Sequence, residues 1–232
     1  MTALFAAAVV VMSALPAEAS SSWEMVERWA GHQVVLGLQD LTLVGEVETR
    51  TESFVIADVR RRGDDYRLTQ YTCRVAISPV AGVQAELTDA AVRALPPATI
   101  EFRRENGEPV APVAWTTVWD DSDHDQDGNA GVTVSVDAPL CGGSIYISTV
   151  TDTNARLLPY SSGIEGAVDV QVSQKILGTS NWCLDVATGD SVEKVQGRVR
   201  YAPIDASATC DQLFRSGWPV FVPDELLTTA SN

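Results

Sequence analysis

The sequence predicts a mainly β fold, an antiparallel barrel or sandwich with a few short helices. Three observations carry this reading. Long stretches rich in Val, Thr, Ile, Tyr and Phe alternate apolar and polar residues with a period of two, as strands with one buried and one wet face do. Clusters of Gly, Asp and Pro interrupt these stretches where a chain must turn. Helical patterns are few and short, and the strand-helix-strand rhythm of a parallel sheet does not occur.

Taken in order, residues 2–15 form an apolar run, TALFAAAVVVMSAL, followed by Pro16-Ala17-Glu18-Ala19. The small residues at 17 and 19 fit the cleavage rule of a secretory signal peptide. No Lys or Arg precedes the apolar run, a departure from the usual positively charged start. The run is shorter than the roughly 20 residues a helix needs to cross a bilayer, so no membrane span is expected. Residues 1–19 are thus expected to be removed, leaving 20–232 as a single β-rich domain, secreted or periplasmic.

Next, Ser21-Ser22-Trp23-Glu24 resembles a capping box and predicts a helix to about Ala30, with His32 in the turn after Gly31. From Val34 to Ile77 the chain reads as a long hairpin turning at Arg62-Gly63-Asp64-Asp65. Val47, Thr49, Thr51, Ser53, Val55, Ala57 and Val59 share one face of its first strand, and Phe54 and Ile56 break the polarity of the other. A short helix spans Thr88 to Leu95, stopped by Pro96-Pro97, and another spans Ser207 to Arg215, ending before Gly217. Alternation returns at Val132, Val134 and Val136, at Ile145 and Ile147, at Val168, Val170 and Val172, and less regularly at Val192, Val195 and Val199, for at least seven strands.

The charge balance, 16 Lys+Arg against 31 Asp+Glu for a net −15, excludes nucleic acid as the expected partner, because phosphate binding needs clustered cations. Four cysteines, Cys73, Cys141, Cys183 and Cys210, suit an oxidising compartment and two disulfides. Of the three possible connectivities, proximity favours Cys73–Cys141 with Cys183–Cys210. Zinc is the weaker reading, since no C-x-x-C pair exists and His32 and His124 are the two histidines of the chain.

The sharpest motif lies between two predicted strands, after Trp119: Asp120-Asp121-Ser122-Asp123-His124-Asp125-Gln126-Asp127-Gly128-Asn129-Ala130-Gly131. Asp123, Asp125, Asp127 and Gly128 fit the D-x-D-x-D-G opening of a calcium loop, in which alternate carboxylates converge on one hard cation and Gly permits the sharp turn. Asn129 would lend its backbone carbonyl at the seventh place, and Gly131 stands at the ninth, where water can serve. The twelfth place, a bidentate Glu in an EF-hand, is Val134, so Asp121, Asp120 or Asp137 is expected to supply a further carboxylate. Five Asp within eight residues repel one another, which favours a cation, Ca2+ over Mg2+, against an empty acidic turn.

In its first six positions this loop resembles those of thrombospondin type 3 and dockerin modules. The stretch Asp125-x-Asp127-Gly128-x-x-Gly131-Val132-Thr133, with Tyr71-Thr72-Cys73 before it and Cys141-Gly142-Gly143-Ser144-Ile145-Tyr146 after it, resembles a group of secreted bacterial β-rich proteins with no established activity. The resemblance implies an exported β fold and no particular chemistry.

Catalytic signatures are missing from the sequence. Ser144 follows two glycines but lies outside a G-x-S-x-G elbow, and it reads as a strand start. His124 reads as a solvated loop residue, and the Arg60-Arg61-Arg62 cluster as a solvated hairpin tip. Trp115, Thr117 and Trp119 share one strand face, which packs in a core or lines a carbohydrate surface. The leading expectation is a non-enzymatic exported β-domain with a structural calcium loop, and with a small apolar ligand if its barrel encloses a cavity. The alternatives are a surface module for protein or carbohydrate partners and a calcium-dependent hydrolase.

Overall fold

The computed structural model describes residues 22–41, 45–105, 108–109, 113–139, 141–160 and 163–227. The expected signal peptide lies outside the described residues. Eleven strands are described: β1 Glu24–Leu41, β2 Gly45–Arg62, β3 Asp65–Ile77, β4 Gln84–Leu87, β5 Ala98–Glu105, β6 Glu108–Pro109, β7 Val113–Trp119, β8 Val132–Asp137, β9 Gly143–Tyr160, β10 Gly163–Thr179 and β11 Ser191–Ile204. Three short helices join them, α1 Asp89–Ala94, α2 Trp182–Ala187 and α3 Cys210–Ser216, with a 3-10 turn at Asp224–Leu226. The fold is mainly antiparallel β, as expected.

The strands hydrogen-bond in the order β4-β8-β9-β10-β11-β1-β2-β3-β5-β6, and the sheet curls into a half-barrel. Strand β9 carries two neighbours in tandem on one edge: β7 opposite Thr149–Ala155 and β8 opposite Gly143–Ile147. The concave side gathers Trp29, Val55, Ala57, Val59, Leu68, Ile100, Phe102, Val113, Leu157, Ile164, Val199 and Tyr201 into one core drawn from eight strands. Burying such side chains contributes about 1.5–3 kcal/mol each. At the centre the Tyr201 hydroxyl donates to Gln70 Oε1 (2.8 Å) and accepts from Gln33 Nε2 (2.9 Å), so the buried phenol is satisfied, and burial pushes its pKa up. The remaining void, lined by Trp29, Leu68, Ile100, Trp115 and Tyr201 among others, is about 10 Å³, room for about one water.

Trp115 packs against this core and Trp119 against a smaller one around Ala91, Val132 and Ile147, which is the core role of the two readings weighed for the pair. The hairpin turns at Gly63-Asp64, where the sequence places it, and Arg60, Arg61 and Arg62 are exposed there. Arg62 and Arg67 both lie over the Trp23 ring, at 4.6 and 4.4 Å from its centroid.

Phe54 and Ile56, the exceptions to the alternation of β2, have their reason in the tertiary structure. They point to the convex side, where Ala208, Leu213, Trp218 and Val220 from the C-terminal part of the chain cover them together with Ala30. Both faces of β1 and β2 are therefore buried at this point, and clean alternation gives way to a continuous apolar run.

Three expectations are corrected. The helix expected from Ser21 to Ala30 is the start of β1, which is paired to β2 and β11 on its two sides. The helical spacing of Val26, Trp29 and Ala30 is overridden because Trp29 enters the concave core while Ala30 packs on the convex side. His32 is not in a turn but at mid-strand and 2% exposed, and Gly31 before it is required because a Cβ there would run into the Tyr201 ring. The disulfides are Cys73–Cys210 and Cys141–Cys183, with Cα separations of 5.6 and 6.0 Å, not the pairing that proximity favours. The sheet carries Cys73 out on β3 beneath α3, where Cys210 waits, and brings the N-terminus of β9 beside α2.

The other two predicted helices are present. Thr88 caps α1, its hydroxyl accepting from the Ala91 N–H. Thr209 and Gln212 form a capping box on α3, which begins three residues after the expected Ser207. Helix α2, capped by Asn181, is not among the expected helices; unlike α1, which is stopped by Pro96-Pro97, it has no proline after it to mark its end. Among the described residues no helix is long and apolar enough to cross a membrane.

Candidate metal centre

The acidic loop is an excursion between β7 and β8, which run end to end along the same edge of β9, so both of its ends are pinned to one strand. Trp119, the last residue of β7, pairs with Thr149, and Val132, the first of β8, pairs with Ile147. The ends of the excursion are thus held about 7 Å apart along β9. Within it the backbone closes on itself: His124 N–H donates to the Gly131 carbonyl (3.1 Å), and Gly131 N–H donates to the carbonyls of Ser122 (3.1 Å) and Asp121 (3.3 Å). Gly131 has φ +79°, and a Cβ there would collide with the Ile147 carbonyl, so this position admits only glycine without a shift of the backbone. Gly128, the sixth place of the motif, has φ +89° and makes the expected turn.

The carboxylates organise the rest. Asp123 accepts from the backbone N–H of Asp127 (3.2 Å) on one oxygen and of Gly128 (3.0 Å) on the other. Asp127 Oδ1 accepts from the Asn129 N–H (2.8 Å) and side-chain amide (3.1 Å), and its Oδ2 from the Thr133 hydroxyl (2.6 Å). The Thr133 hydroxyl, with Asn129 behind it, holds the Asp127 carboxyl below the usual range. Asp125 turns inward: its Oδ2 accepts from the Thr133 N–H (3.0 Å), and its Oδ1 is buried with no hydrogen-bond partner.

One oxygen from each of Asp123, Asp125 and Asp127 lies within 4.8 Å of the others. Two oxygens on opposite sides of a Ca2+ ion at its normal bond lengths are about 5 Å apart, so the three fit around a single ion of that size. Of the remaining expected ligands, Asn129 is placed against Asp127, while Asp121 does not join the carboxylate cluster. Asp120 is turned to its own loop, accepting from the Ser122 N–H at 3.0 Å, with His124 Nε2 2.9 Å away. That backbone N–H, foremost, keeps the Asp120 carboxyl below its ordinary value. His124 is half-buried rather than solvated. Asp137 closes β8 opposite Gln84, at the far end from the loop.

Sequence reasoning missed Thr133, which ties two of the three carboxylates to β8. Thr133 stands at the end of the D-x-D-G-x-x-G-V-T stretch, but nothing in that pattern shows its contact with the carboxylates. It also missed an open groove of about 620 Å³ beside the loop, lined by Trp119, Asp120, Asp121, Thr149, Lys175 and Val192 among others. Strands distant in sequence form that groove, so no local window contains it.

No protein-family model matches the chain, and no curated protein matches it. Among solved structures, the chain is similar to DynF from the dynemicin biosynthesis pathway of Micromonospora chersina, at 10% identity and a TM-score of 0.40, over 87% of this chain and 95% of that one. A likeness of this degree says nothing of activity.

Proposed function

We propose that this chain is an exported, non-enzymatic β-domain in which Asp123, Asp125 and Asp127 hold a structural calcium ion. The observation that carries the reading is the buried, unpartnered Oδ1 of Asp125, gathered with two further carboxylates within 4.8 Å. A buried carboxylate oxygen without a partner costs at least about 1–3 kcal/mol, and the mutual repulsion of three carboxylates adds to it. A divalent cation relieves both. The donors are all hard oxygens in an irregular loop, a set that suits calcium, whereas magnesium keeps most of its waters and zinc prefers nitrogen and sulfur. The ion would join the start of β8 to the end of β7 and stiffen the rim of the half-barrel.

Export is supported by the apolar segment and cleavage pattern of residues 1–19 and by two disulfides. A ligand larger than about one water would need the side chains around the central void to move, so the barrel interior lends no support to an apolar cargo.

Thermal unfolding with calcium, with magnesium and with chelator tests the proposal. At about 100 times its dissociation constant, calcium should stabilise the fold by roughly 2.7 kcal/mol, an upward shift in Tm of about 5–10 °C. Asp125→Asn, which keeps an acceptor for the Thr133 N–H, should abolish the shift and leave the fold intact. No shift at millimolar calcium would reduce the loop to an acidic turn, and an equal one with magnesium would overturn the assignment of calcium.

A further inference from the structure

The convex side of β1, β2 and β11 is covered by the last described stretch of the chain, Gly217 to Leu227. Trp218, Val220, Val222 and Leu227 are buried, while Phe221 is 54% exposed. Val222 and Leu227 pack on Val34 and Leu36. Four basic side chains of the sheet make polar contacts beneath this strap. Arg198 Nε donates to the Leu226 carbonyl (3.1 Å), Arg200 Nη1 to the Phe221 carbonyl (3.4 Å) and Arg50 Nη1 to Asp224 (2.9 Å). The fourth is His32, whose Nδ1 accepts from the Val222 N–H at 2.9 Å.

His32 differs from the three arginines because its role depends on its protonation state. A ring that accepts at Nδ1 carries its proton on Nε2, and here Nε2 lies 3.3 Å from Glu52 Oε2, within reach to donate. The doubly protonated ring has a hydrogen on both nitrogens. Its Nδ1 would then meet the Val222 N–H donor to donor, in a site closed by Phe54 and Phe221, whose ring centroids lie 4.7 and 5.3 Å away. We propose that His32 is an acid-released latch: protonation of its ring removes the acceptor for Val222 and frees the strap Gly217 to Leu227 from the sheet. Release stops at α3, because the Cys73–Cys210 disulfide ties that helix to β3.

The charged neighbours decide the direction. From β2, Glu52 favours the cation and Arg50 opposes it. On β11, Arg200 is the register partner of His32 and is engaged by Glu165 of β10 at 2.9 Å, with Arg198 two residues before it. From the strap, Asp224 is paired to Arg50, and on β3, Arg74 lies over the Phe214 ring. Burial outweighs Glu52, so the folded-state pKa of His32 is lowered from 6.5. The sign follows: the neutral ring stabilises the folded strap fully above the unfolded pKa, and that contribution is lost as pH falls below about 6.5 and through the lower folded value.

Hydrogen exchange of the whole protein at pH 7 and at roughly pH 4.5, corrected for intrinsic rates, reads the latch directly. Protection of the Val222, Leu226 and Leu227 amides should fall about tenfold or more at the lower pH while the β1 amides keep theirs. His32→Asn, whose side-chain oxygen takes the place of Nδ1 and accepts from Val222 at either pH, should hold strap protection constant. An equal fall in the variant, or no fall in the wild type, overturns the proposal. Should the variant not fold, imidazole nitrogen NMR of the wild type decides instead, since the chain has two histidines. His32 must be the Nε2–H tautomer at neutral pH and titrate with the same midpoint as the loss of strap protection, and a separate midpoint counts against the latch.

Discussion

Gly131 shows how much of the metal loop hangs on single residues. Its positive φ and the Ile147 carbonyl facing it leave no room for a side chain, and its N–H and carbonyl both close the loop. We expect Gly131→Ala to cost about 1–3 kcal/mol, read as a lower Tm in chelator, and to weaken calcium binding in calorimetry. A variant as stable as the wild type would show that the loop closes in another way. At this scale the three carboxylates were legible, because D-x-D-x-D-G is a local pattern that converges within one turn of chain. The further expected carboxylate, Asp121, is not separable from Asp120 in sequence. Asp125 is the one that points inward, its Oδ2 held by the Thr133 N–H of β8, a contact that no pattern of aspartates announces. His32 was misread for a similar reason: it sits after a glycine, yet its partners are on β2 and the strap.

Among the elements, the strands with one wet face were the readable ones. The β2–β3 hairpin and its turn fall where alternation and Gly63-Asp64 place them. Strand β1 was hidden because it is buried on both faces, and a short window of it carries a helical spacing that tertiary pairing overrules. The C-terminal strap is likewise an element without regular secondary structure, visible only through what it covers. Trp218 is its anchor, packed against Phe54 and Phe214 with ring centroids 5.4 and 4.8 Å apart. Trp218→Ala should lower stability by about 3–5 kcal/mol in urea unfolding and raise exchange of the strap amides at neutral pH. A loss below 1 kcal/mol would mean that the strap contributes little to the fold.

Across the whole molecule, the two disulfides fasten different things. Cys73–Cys210 closes a loop of sequence separation 137 and ties the C-terminal cover to β3, whereas Cys141–Cys183 closes one of 42 between the start of β9 and α2. By loop-closure entropy the first should stabilise by about 5 kcal/mol and the second by about 4, taken as upper values. Replacing each pair by serine and measuring urea unfolding checks the ranking. The Cys73/Cys210 variant should lose more and should also loosen α3. If the Cys141/Cys183 variant is the weaker one, native contacts rather than chain entropy set the order.

The amino-acid sequence by itself determined the fold class, the hairpin, two of the helices and the trio of carboxylates, because each is written in a window of a few residues with its own period or spacing. The tertiary structure alone decided the cysteine pairing, the burial of both faces of β1 and the partner of His32. Those depend on residues 137 and 190 positions apart that meet only when the sheet curls and the stretch from Cys210 to Leu227 folds back over it. Local chemistry can say that a strand will form, but the neighbour it receives is chosen by the packing of the whole chain.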